Sequence, residues 1–183
     1  MQSKTRGLEN YFDQVWQQSN DIAALSYVLA IKKTKLDPEQ ALLAGMVHNI
    51  GVLPILLRLN QISALKYEPK LLIQVADLVI PKLYPTAGKL ILDNWNFSEE
   101  ISQIALTHNQ SEKKSNEDIR LRDIIFIACE LNKIPDITNV EVVPEAFVSS
   151  ASFQKIWESW SDAVENLSEL SDEISEIKDG ITN

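Results

Sequence analysis

Histidine, cysteine and glycine are all scarce in this 183-residue chain, at two, one and five. The single cysteine, Cys129, excludes an intrachain disulfide, and its apolar flanks Ile127, Ala128 and Leu131 suggest a buried thiol in a reducing cytoplasm. The few glycines build no phosphate-cradling loop, and no Ser-His-Asp arrangement can be assembled. No run sustains the two-residue alternation of a half-buried strand, which argues against a sheet. Basic residues are too few and too dispersed to offset phosphate repulsion, so nucleic-acid binding finds no support. Neither a signal peptide nor an apolar run long enough to span a bilayer is read, so a cytoplasmic protein with no membrane partner is expected.

An apolar share of 45% is what remains, dominated by Leu, Ile and Ala. It suffices for a helical domain with a real core. The net charge of −9 is uneven. Residues 161–183 hold seven acids against Lys178 alone, while the other 160 residues carry 19 acidic and 16 basic side chains.

Helical spacing opens over 8–33, with Leu8, Phe12, Val15, Trp16, Ile22, Leu25, Val28 and Leu29. Asp37-Pro38-Glu39-Gln40 supplies an N-cap, a first-turn proline and a capping-box glutamine. The helix it starts is predicted to reach about His48, pause near Ile50-Gly51 and resume through Leu59. Further helices are predicted over 69–82, 86–94, 98–108 and 117–133. Pro81 and Pro85 are expected to bracket a break, and Ser98-Glu99-Glu100 is a charged helix start. A surface loop is expected over 109–116 and a short extended connection over 134–144. Val164, Leu167, Leu170, Ile174 and Ile177 then form a narrow apolar stripe on an acidic helix ending at Gly180. The expected division is a helical domain over 1–160 and an amphipathic helix over 161–183. That helix either packs on its own domain, docks on a partner or pairs with itself.

The stretch Gly45-Met46-Val47-His48-Asn49-Ile50-Gly51 is the most informative. A His followed by Asp would be a metal-ligand pair, but Asn49 is a neutral amide. With its lead-in from Leu36 it resembles the central motif of the HDOD family, a noncatalytic branch of the HD-domain superfamily. Trp16-Gln17-Gln18-Ser19 resembles that family's Trp-x-His-Ser helix opening. The segment from Tyr84-Pro85-Thr86-Ala87-Gly88 through Trp95 resembles its His-Pro-x-x-Gly segment, and Ile104-Ala105-Leu106-Thr107-His108 a helix that often ends in a His pair. The likeness spans about residues 12–133. It implies an all-α fold, a compact helical bundle of HD-domain type with the acidic C-terminal helix added. It also implies several preceding helices, so the chain is expected to be a shortened member or a piece of a longer protein.

An active HD site needs imidazoles and carboxylates converging on a divalent cation, whose bound water then attacks a phosphate. By the resemblance, ligand positions here hold Gln18, Asn49, Tyr84, Thr107 and Cys129, and only His48 and His108 survive. Asp93 and Glu130 are the nearest carboxylate candidates. The expectation is no catalytic residue, no cofactor and no metal, with His48 and His108 as residual ligands at most. His48 is expected to be structural, His108 to serve at a helix C-terminus, and Asn49 to satisfy buried backbone groups. Gly45 is expected to admit a close helix, Gly51 to supply a backbone conformation other residues resist, and Tyr84 to pack its ring. Trp16 and Trp95 are expected as anchors. Trp157, Trp160, Leu167, Leu170 and Ile174 are the interface candidates. The resemblance implies a regulatory protein-interaction module of bacterial signal transduction, acting on a protein partner or by self-association. The alternatives are a metal-dependent phosphohydrolase of a nucleotide or cyclic dinucleotide, and a small-ligand sensor using the emptied cavity.

Overall fold

A computed structural model describes residues 6–65, 68–111, 118–135 and 143–182. Among these, every regular element is helical: α1 (Arg6–Lys33), α2 (Pro38–Val47), α3 (Val52–Gln61), α4 (Pro69–Asn94), α5 (Glu99–Thr107), α6 (Leu121–Leu131), α7 (Glu145–Val148), α8 (Ala151–Gln154), α9 (Trp160–Glu169) and α10 (Ser171–Thr182). The all-α expectation holds. Local signals acted as read at two starts. Asp37 Oδ1 accepts from the Glu39 amide at 2.9 Å, and Ser98 Oγ from the Ile101 amide at 3.4 Å.

The chain divides into two compact units, one of residues 1–19 and 47–106, the other of 20–46 and 107–183. Residues 161–183 fall within the second unit.

In the first unit, Leu8 of α1 packs with Val52, Leu56 and Leu59 of α3 and Leu72, Ala76 and Ile80 of α4, flanked by Phe12, Val15 and Tyr84. The break predicted at Pro81 and Pro85 does not occur, because α4 runs unbroken through both. Each proline removes one helical hydrogen bond, a cost of roughly 3 kcal/mol in a helix interior. The apolar row Leu72, Ala76, Ile80, Gly88 and Leu92, in steps of four or eight, buries one side of the helix and outweighs that loss. Pro81 itself lies exposed, so the acceptors it frees meet water.

In the second unit, Leu29, Ile124, Ile127, Leu131, Ala163 and Leu167 surround an aromatic cluster. Phe147 meets Phe153 edge-on at 5.2 Å and Trp160 at 6.3 Å, and Phe153 lies 5.4 Å from Trp157. Such pairs add about 0.5–1.5 kcal/mol each beyond area burial. The short α7 and α8 carry two of these rings, and no helical spacing announced them. Trp157 is 1% exposed and Trp160 7%. They are core residues, not interface residues, because the aromatic cluster encloses them. Leu167 and Leu170 are buried too, and Ile174 half-buried. The stripe of α9 therefore packs on its own unit. Gly180 does not end the last helix but lies inside α10, exposed. Trp16 and Trp95, expected as anchors, are 57% and 59% exposed.

The stretch Pro38–Gln61 is long and apolar enough by composition to cross a membrane, at mean hydropathy 1.7, contrary to the sequence expectation. Half of that window is buried inside the protein, as in a core helix pair. Residues 136–142 of the expected extended connection and 112–116 of the expected 109–116 loop lie outside the described residues.

Candidate functional site

The motif Gly45–Gly51 folds as the end of α2, a tight turn and the start of α3. The turn is closed by the Ile50 amide on Val47 O at 3.1 Å and the Val52 amide on Asn49 O at 2.9 Å. It draws both polar side chains inward, His48 to 2% and Asn49 to 5% exposure.

Asn49 does not satisfy backbone groups, as expected from its chemistry, but meets a side chain. Ser19 Oγ lies 2.9 Å from Asn49 Oδ1 and 2.8 Å from Val15 O. One hydroxyl proton faces two acceptors, while Asn49 Nδ2 is buried without a hydrogen-bond partner. In the other amide orientation Nδ2 donates to Ser19 Oγ and the hydroxyl donates to Val15 O, so neither proton competes for an acceptor. A carboxylate at position 49 has no such choice, since it only accepts. Position 49 thus suits a neutral amide with Ser19 as its partner.

Glycines fix where the turn sits. Gly51 has φ −66° and ψ −13°, an ordinary helical conformation, so the expected backbone demand is corrected. Its requirement is steric: a Cβ there would lie 2.0 Å from Tyr84 O and 2.4 Å from Gly88 N of α4. Gly88 answers from the other side, its own Cβ position 3.4 Å from Gly51 N and 3.1 Å from Ala105 Cβ. The backbones of the turn and α4 meet glycine to glycine. Sequence reading missed Gly88, though its place in the Tyr84–Trp95 segment was the available signal. Gly45 performs as expected, with its Cβ position 2.6 Å from Ala23 Cα on α1.

The other ligand positions follow their local chemistry. Tyr84 is half-buried against the first unit's core. His108 is buried just after α5, and like His48, Tyr84 and Thr107 it is engaged in interactions of its own. Burial pushes the Cys129 thiol up to about 12, so it stays protonated and unreactive at neutral pH. Neither carboxylate candidate is free. Asp93 is exposed and pairs with Lys89 at 3.0 Å, and Glu130 pairs with Lys133. Among the described residues, no group of three or more His, Cys, Asp or Glu side chains is placed to hold a metal ion.

A sequence model of the HDOD domain matches residues 1–111. The chain belongs to the HDOD domain family. No curated protein and no solved structure matches it. The HDOD match ends within the loop after α5. It takes in Gln18, His48, Asn49, Tyr84 and His108 and leaves out Cys129, where the sequence resemblance had been carried on to about residue 133.

Beyond the HDOD match the second unit holds one buried polar cluster that sequence reading missed. Asp123, fully buried in α6, receives Lys155 Nζ at 2.7 Å, Ser152 Oγ at 2.6 Å and the Arg120 amide at 3.0 Å. Lys155 Nζ also reaches Asp118 O at 3.2 Å. Both carboxylate oxygens are occupied, and Ser152 gives its proton to a carboxylate, not to a base. The cluster ties α6 to α8 and its following residue. It is a packing device, costly to break and without chemistry of its own. In sequence, Asp123 carries no motif that sets it apart from the other acids.

Proposed function

We propose that this HDOD domain is a noncatalytic regulatory and protein-interaction module of bacterial signal transduction. The observation that carries the reading is the Asn49–Ser19 pair. Where a catalytic HD domain needs an anionic ligand beside its histidine, this turn buries an amide hydrogen-bonded to a hydroxyl. Neutral oxygen and nitrogen donors of this kind do not balance the charge of a dinuclear divalent centre. Cys129, held protonated by burial, supports the same reading, and Asp93 and Glu130 are each engaged by a lysine, Lys89 and Lys133. The module's output is then a docking event or a change of assembly, in a cytoplasmic setting, not a chemical product.

The test is elemental mass spectrometry on protein purified without chelator, followed by phosphate-release assays with nucleotides and cyclic dinucleotides in Mn²⁺. The expected result is substoichiometric metal and no turnover above buffer. Near-stoichiometric Mn, Fe, Zn or Ni, with phosphate release abolished by His48→Ala, would overturn the proposal in favour of a phosphohydrolase.

A further inference from the structure

Helix α10 is the most loosely held regular element of the second unit. It buries no residue fully, and Ile174, Ile177 and Ile181 are only half-buried. Beside it lies an open cleft of about 340 Å³, lined among others by Leu25, Leu131, Ile134, Leu167 and Ile174. What ties α10 to α1 is electrostatic. Glu173 pairs with Lys32 at 2.7 Å, and Lys178 pairs with Asp21. These contacts leave the pairing side chains between 22% and 48% exposed, so each is a modest tie.

The sequence of α10 carries a second set of instructions. Within α10, Ile174, Ile177 and Ile181 fall at steps of three and four, the spacing of a coiled-coil seam. With Ile174 and Ile181 at a and Ile177 at d, Glu173 occupies g and Lys178 occupies e. In a parallel two-stranded coil, g of one helix meets the e five residues later on its partner. Glu173 would therefore face Lys178 of a second copy, twice by symmetry. The remaining acids Asp172, Glu176 and Asp179 fall at the f and c positions, away from that seam.

We propose that α10 is a two-position helix: docked on α1 of its own chain, or paired in parallel with α10 of a second copy. The same two charges, Glu173 and Lys178, serve both positions, so the two are mutually exclusive. The reciprocal Glu173–Lys178 pairs are those of a parallel pairing, and the open cleft beside α10 lowers the packing lost when the helix lifts. This deepens the interaction-module reading by naming a partner. It is read by oligomeric state, so its failure is distinct from any metal or turnover result.

The experiment is sedimentation equilibrium of the full chain with two independent double variants. Asp21→Lys/Lys32→Glu removes the seat on α1 and leaves α10 untouched. Glu173→Lys/Lys178→Glu repels α10 from α1 but preserves g–e′ attraction with the signs reversed. Because both copies must free a helix, each variant is expected to tighten dimerisation at least about 10-fold over the wild type. Adding Ile177→Asp to either is expected to return the protein to monomer. Variants no tighter than wild type, or a gain that survives Ile177→Asp, would overturn the proposal. Circular dichroism verifies folding, and the second pair stands should the first not fold.

Discussion

Gly51→Ala adds one methyl group to a residue already in helical conformation, so it isolates sterics from backbone preference. By backbone entropy alone the substitution should stabilise by about 0.4–1 kcal/mol, since alanine adopts φ −66° without strain. Against this stands a Cβ placed 2.0 Å from Tyr84 O and 2.4 Å from Gly88 N. Both neighbours are backbone atoms of α4 and cannot rotate aside, so the turn or the helix must shift. Overpacking costs typically 1–3 kcal/mol, and two backbone contacts put this site at or above the upper end. The expected net loss is about 2–3 kcal/mol, a fall in Tm of roughly 4–12 °C for a chain of this size. Urea denaturation followed by circular dichroism, with thermal melts alongside, measures it. Gly180→Ala is the control: nothing lies within 4 Å, the site is inside α10, and a gain of about 0.5–1 kcal/mol is expected. A Gly51→Ala protein within about 0.5 kcal/mol of wild type, a change no larger than an ordinary surface substitution, would refute the packing argument.

Asn49→Asp should destabilise by about 2–3 kcal/mol at pH 7, because a buried carboxylate loses its hydration with only Ser19 to donate to it. Desolvation raises the folded-state pKa of that carboxylate, so the penalty fades as pH falls through it and is gone below the ordinary value near 4. Parallel melts of variant and wild type from pH 8 to 4 check the convergence. Cys129, pushed up to about 12 by burial, ionises more readily unfolded, near its ordinary 9.0, so its contribution to stability erodes as pH rises above 9. Cys129→Ala should blunt the alkaline loss by about 1 kcal/mol at pH 10, and native protein should resist iodoacetamide at pH 8 until denaturant is added. Deleting 161–183 should cost roughly 5 kcal/mol or more, since it strips Ala163, Leu167 and Leu170 from the core, whereas deleting only 171–183 should cost under about 2 kcal/mol. Equal effects of the two truncations on the urea midpoint would contradict the division between α9 and α10.

The helical class, the start of α2 at Asp37-Pro38, the pause at 48–51 and the family were legible because each is written locally. They show in a capping side chain, a spacing of apolar residues or a contiguous motif. The failures share a physical cause. Pro81 and Pro85 do disfavour a helix, but the buried row from Leu72 to Leu92 outweighs them, and that row's value exists only once α3 and α1 lie against it. Trp157 and Trp160 share a helical spacing that fits a docking face equally well, and only the rings of Phe147 and Phe153 make them core.

The sequence by itself determined which donors and charges stand at the motif positions, because Asn49 and Gln18 are neutral amides in any fold. Only the tertiary structure decided which groups the motif residues meet. It brings Ser19 to Asn49 across thirty positions of chain, sets Gly51 against Gly88 where Gly51 has no room for a Cβ, and seats Glu173 and Lys178 on α1. Each of these is a contact between distant segments, and its energy depends on a distance that no local pattern encodes.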